Sequence, residues 1–98
     1  MKPRKNESVR AFLERAGACE GAAYDYGRCK TIKGAIRVAD GQDVNWAIQR
    51  ILPGAQAVKI GRSLGIETCP CGEPLCAVSV PLRLRKKALL AYFYGEGK

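Results

Sequence analysis

Three cysteines stand close together at Cys69, Cys71 and Cys76, in the spacing C-x-C-x4-C, with Pro70, Gly72 and Pro74 between them. Proline and glycine bend the backbone, so several sulfurs in such a stretch can converge on one ion. Zinc asks for four donors at tetrahedral positions. The chain has no histidine, so a fourth donor would have to be Cys19, Cys29, a carboxylate such as Glu67 or Glu73, or water. The paired C-x2-C knuckles of common zinc sites are missing. The simpler reading is a tight loop whose thiols pack as small apolar groups, Cys76 above all. The expectation is therefore a chain without metal or other cofactor; an ion, if held, would sit at Cys69, Cys71 and Cys76.

Catalytic chemistry finds little footing. A reactive thiolate needs a neighbouring cation or a helix N-terminus, and the charged residues nearest Cys69 and Cys71 in sequence are Glu67 and Glu73. The absence of histidine removes the Ser-His and Cys-His pairs and the usual general base at neutral pH. Asp40 and Asp43 are explained by turn and cap chemistry. We expect no enzymatic activity.

The basic residues are more informative. Formal net charge is +8 from 17 basic and nine acidic residues, a balance that attracts phosphate or an acidic protein surface. The bases are clustered. Arg28, Lys30, Lys33 and Arg37 follow one another without an intervening acid, as do Arg50, Lys59 and Arg62, and Arg83, Arg85, Lys86 and Lys87. Tyr24 and Tyr26 precede the first cluster. Arginine beside aromatic rings on one surface is how many single-strand binders hold backbone and bases together. The 61–65 stretch, Gly-Arg-Ser-Leu-Gly, is one residue too long for the G-x-x-G clamp of a KH loop.

The elements that must position these side chains follow from periodicity. Ser8 is a good N-cap for a helix over 9–16, with Val9, Phe12, Leu13 and Ala16 at i, i+3, i+4, i+7. The glycine-rich 17–27 stretch implies a turn. Residues 31–39 alternate, placing Ile32, Gly34, Ile36 and Val38 inward with Lys33, Ala35 and Arg37 outward, as a half-buried strand does. After turn residues 40–43, Asp43 suits the N-cap of a helix over 44–52, with Val44, Ala47, Ile48, Ile51 and Leu52 as its apolar stripe, ended by Pro53 and Gly54.

Residues 55–60 read as a short strand with Val58 and Ile60 inward, 61–65 as a turn, and 66–68 as the start of a further strand. The strongest alternation runs over 76–84, where Cys76, Val78, Val80, Leu82 and Leu84 share one parity and Arg83 and Arg85 the other. Residues 88–94 are apolar enough for either a terminal helix or a fully buried strand.

Assembled, these readings give a single basic α+β domain over 1–98, with 1–7 as a flexible tail. It would be a mainly antiparallel sheet of about three to five strands packed against two or three helices. Its function would be nucleic-acid binding by a Lys/Arg-rich sheet face formed by Arg28, Lys30, Lys33, Arg37, Lys59, Arg62, Arg83, Arg85, Lys86 and Lys87, flanked by Tyr24 and Tyr26. DNA and RNA both remain open as the partner. The alternative is a non-enzymatic interaction module, of the kind small basic phage and mobile-element proteins supply, docking on an acidic host protein or nucleoprotein surface. No apolar run reaches the ~18 residues of a membrane span, and the polar N-terminus lacks the apolar core of a secretory signal. A soluble, cytoplasmic protein with no membrane partner is expected. Tyr92, Phe93 and Tyr94 leave room for a homodimer.

Overall fold

The computed structural model describes residues 1–66, 70–76 and 78–95. Among them the regular structure is entirely helical: α1 (Val9–Ala16), α2 (Glu20–Gly27), α3 (Ile32–Val38), α4 (Gly41–Arg50), α5 (Gly54–Ser63) and α6 (Leu82–Tyr94). The expected α+β fold with an antiparallel sheet is overturned. The contacts gather into two compact units, Met1–Ala39 and Asp40–Lys98. No helix among the described residues is long and apolar enough to cross a membrane.

In the N-terminal unit, α1 starts as its sequence requires. Ser8 Oγ accepts the Ala11 N–H at 3.0 Å, and Val9, Phe12 and Ala16 are buried. The helix stops at Gly17, whose φ of 95° lies in the left-handed region. The Gly17 N–H donates to Glu14 O and the Ala18 N–H to Leu13 O, the bond pair that closes a helix when glycine takes that conformation. The 17–27 stretch, expected to hold a turn, needs only this one before α2 begins. Cys19 caps α2, its Sγ accepting the Ala22 N–H at 3.4 Å.

α2 packs on α1, and the contact is close enough to demand glycine. A Cβ at Gly27 would fall 2.6 Å from Arg10 Cβ and 3.3 Å from its Cα. Residues 2–7 are fastened to α1 as well. Arg15 grips Glu7 through both Nε and Nη2, at 2.9 and 2.8 Å, and Nη2 also donates to the Lys2 carbonyl. The Arg4 N–H completes the clamp on Glu7 Oε1.

α3 replaces the strand expected over 31–39. Thr31 Oγ1 accepts the Gly34 N–H at 3.0 Å, a side-chain cap that opens a helix. Ile32 is half-buried and Ala35 and Ile36 are buried, the i, i+3, i+4 set of a helix face. Val38, expected inward, is 66% exposed.

In the C-terminal unit, α6 packs against both α4 and α5. α4 begins three residues earlier than expected, because the cap is Asp40 and not Asp43: Asp40 Oδ1 accepts the Asp43 N–H at 2.8 Å. Its buried Val44 and Ile48, with Ile51 and Leu52 beyond its end, are four of the five apolar positions the sequence marks, and the fifth, Ala47, is half-buried. Pro53 does end that helix, yet its extended backbone at once starts α5. The strand expected over 55–60 and the turn over 61–65 are thus mostly one helix. Ala57, Ile60 and Gly61 face inward on it, and Val58 is exposed. α5 closes as α1 does, with Gly65 left-handed at φ 74° and bonds from Gly65 N–H to Arg62 O and Ile66 N–H to Gly61 O. The strand start expected at 66–68 falls largely outside the described residues.

The strand expected over 76–84 is overturned too. Its described residues divide between a non-helical stretch, at 76 and 78–81, and the first turn of α6. Pro81 stands at the N-cap, and the run behind it, rich in Leu, Arg, Lys and Ala, favours helix. The same helix settles 88–94. Arg85, Ala88, Leu89 and Tyr92 form its buried face, while Val78, expected inward, is 93% exposed.

Candidate nucleic-acid interface and the thiol loop

With no sheet there is no sheet face, and the predicted basic residues are redistributed over helix surfaces. In the N-terminal unit Arg28 and Lys30 lie in the link between α2 and α3, and Lys33 and Arg37 lie on α3; all four are exposed. Lys33 and Arg37 are four residues apart on one helix, so they share a face. Tyr24 is 57% exposed, whereas Tyr26 is half-buried. The Arg10 guanidinium sits 5.9 Å from the centre of the Tyr24 ring, a cation over an aromatic face. Arg10 is a surface residue the sequence reasoning left out. Its place on the polar side of α1 was legible, but its neighbour on α2 was not.

In the C-terminal unit, Lys59 and Arg62 are exposed on α5, Arg83 and Lys87 are exposed on α6, and Lys86 is half-buried. Arg85 is the exception. It is 7% exposed, its Nε donates to the Val80 carbonyl at 3.0 Å, and its Nη1 donates to Asn45 Oδ1 on α4. Its guanidinium holds the segment before α6 and α4 together and is not part of the exposed basic surface. The physical reason is the period. On a strand Arg85 opposes the apolar parity, but on α6 it is three and four residues from buried Ala88 and Leu89.

The cysteines divide in the same way. Cys19 caps α2, and Cys29 is half-buried just beyond it. Cys69 lies outside the described residues. Cys71 is exposed and Cys76 buried, with their sulfurs 3.6 Å apart. One donor atom each from Cys71, Glu73 and Cys76 fall within 4.8 Å of one another. The loop that carries them is held from below. Leu75 is 5% exposed at a left-handed φ of 56°, and its Cδ2 would lie 3.8 Å from a Cβ on Gly61 of α5. The Cys76 carbonyl accepts from the Ser79 and Val80 N–H groups. Val80 in turn is tied to Arg85.

The aromatic end of α6 is graded. Tyr92 is buried and its hydroxyl pKa raised by that burial, Phe93 meets it edge-on with centroids 5.2 Å apart, and Tyr94 is 49% exposed. No family model matches the chain, and neither a curated protein nor a solved structure matches it.

Proposed function

We propose that the protein binds nucleic acid through the exposed basic surface of the α2–α3 link and α3. The observation that carries this reading is the run Arg28, Lys30, Lys33, Arg37: four exposed cations with no acid among residues 26–39. Phosphate contacts of this kind give affinity without sequence information. Tyr24, beside Arg10, adds an exposed ring of the sort on which an unpaired base stacks. A cytoplasmic setting goes with the reading, since five cysteines, an odd number, suit thiols better than a disulfide framework.

The test is binding of random-sequence DNA and RNA as a function of salt. Neutralising phosphates releases counterions, and each contact contributes a log-log slope of about 0.7 to 0.9. Four contacts therefore cost about a hundredfold in affinity between about 50 and 200 mM salt. Lys33→Glu with Arg37→Glu is expected to abolish retention while leaving the helical circular dichroism unchanged. Lys2→Glu with Lys5→Glu makes the same change in charge near the N-terminus and is expected to weaken binding only slightly. Equal losses from the two pairs would leave bulk charge alone as the cause. Absence of binding by the unmodified protein at about 100 mM salt would hand the surface to an acidic protein partner.

A further inference from the structure

We infer that Cys71, Cys76 and Glu73 form a binding site for a thiophilic divalent cation, with zinc as the natural occupant. The geometry separates this from a disulfide. A tetrahedral zinc with bonds of about 2.3 Å to sulfur sets its two sulfurs about 3.8 Å apart. The Cys71 and Cys76 sulfurs stand at 3.6 Å, already at that edge of the tetrahedron. A disulfide needs about 2.05 Å, so the pair would have to close by roughly 1.5 Å. With both thiols protonated the Cys71 Sγ–H donates to Cys76 Sγ across this distance, and the Glu73 carboxylate beside the pair is what points to an ion in place of that proton.

The third donor fits the same ion. Glu73 is exposed, and its carboxylate lies within 4.8 Å of both sulfurs. A sulfur–oxygen edge around zinc is about 3.6 Å, a shift of roughly an ångström that a surface glutamate makes by rotating its side chain. Two thiolates and a carboxylate suit zinc by softness and by charge. Three protein donors leave the fourth position to water or a further ligand. On binding, each thiol gives up its proton to solvent as its sulfur bonds the metal, so two protons leave per ion and no electron moves.

The loop is held ready for this. Leu75 lies between Glu73 and Cys76 in a left-handed conformation that is strained for a non-glycine residue. Its buried side chain over Gly61 of α5 keeps it there. The same conformation turns Cys76 back towards Cys71. A metal site on such a support needs little ordering on binding.

The test uses the reduced full-length chain titrated with Co2+ as a spectroscopic stand-in, followed by Zn2+. Expected are one Co2+ per chain, thiolate-to-cobalt charge-transfer absorption with the visible bands of a tetrahedral site, and their loss as Zn2+ displaces it. Cys71→Ser and Glu73→Gln alter exposed side chains and should leave the helical signal intact while weakening Co2+ by more than about tenfold. Cys19→Ser with Cys29→Ser should bind as the unmodified chain does. Absence of charge-transfer absorption, or absorption that survives Cys71→Ser, overturns the site. Cys69→Ser, at a residue outside those described, is expected to retain the metal; if it loses the metal while Glu73→Gln keeps it, the donor set is wrong. Rapid air oxidation to a Cys71–Cys76 disulfide that Zn2+ does not slow would also overturn it.

Discussion

The Glu7 carboxylate receives both arms of Arg15 and the Arg4 N–H. The Arg15 hydrogen bonds, followed by that of Arg4, hold its pKa at about 2 in place of the ordinary 4.5. A carboxylate more acidic in the folded chain contributes stability above its unfolded pKa and loses it as pH falls through the folded one. Thermal melts of the wild type and Glu7→Gln should therefore differ near neutral pH and converge as pH drops from about 4.5 to about 2. Arg85 and Arg83 make a second test at this scale. Arg85→Ala removes two hydrogen bonds from a buried cation and leaves Val80 O and Asn45 Oδ1 to find new partners; denaturant unfolding should show a loss of about 2 to 4 kcal/mol. Arg83→Ala, at an exposed position, should stay within about 0.5 kcal/mol. Only part of this was legible. Ser8 announces itself as a cap, whereas Cys19 is not a residue type that a capping rule would select. Asn45 carries no signal that it will meet an arginine.

At the scale of elements, the α1–α2 contact turns on one missing methyl group. Gly27→Ala pushes a Cβ into the Arg10 stem and should cost about 1 to 3 kcal/mol as overpacking does. Gly21→Ala, in the same helix with nothing within 4 Å of the new atom, should instead stabilise by up to about 1 kcal/mol. Opposite shifts in the denaturation midpoint check the pair. α1 and α4 were readable because each shows its apolar stripe over two turns, though only α1 is capped by the residue its sequence singles out. α3 has seven residues, and over so short a run the two periods share positions. Residues i and i+4 belong both to a helix face and to one side of a strand. Ile32 and Ile36 satisfied both patterns; Ala35, which the alternation placed outward, and Val38, which it placed inward, distinguish them. In 76–84 the regular parity straddled a segment boundary, and Pro81 inside the run was the mark against a strand.

For the whole molecule, charge is the property that survived the change of fold. The unit Met1–Ala39 has nine basic and four acidic residues, and Asp40–Lys98 has eight and five. Each therefore carries a net positive charge of its own, and Lys59→Glu with Arg62→Glu on α5 tests the second unit against the first in nucleic-acid binding. Retention lost through this pair, and kept with Lys33→Glu and Arg37→Glu, would move the interface from α3 to α5. The basic residues were legible as a set, and their membership of surface or core was not, since that depended on the secondary structure carrying them.

The bond from Arg85 to Asn45 joins residues 40 positions apart, whereas the clamp of Arg15 on Glu7 spans eight. Chains are made from the N-terminus, and contacts between distant positions wait for both to emerge. The N-terminal unit can thus consolidate α1 and α2 while later residues are still being added. The Arg85–Asn45 bond must wait until α6 has followed α4 from the ribosome, so the second unit gains this tie only after both helices are made.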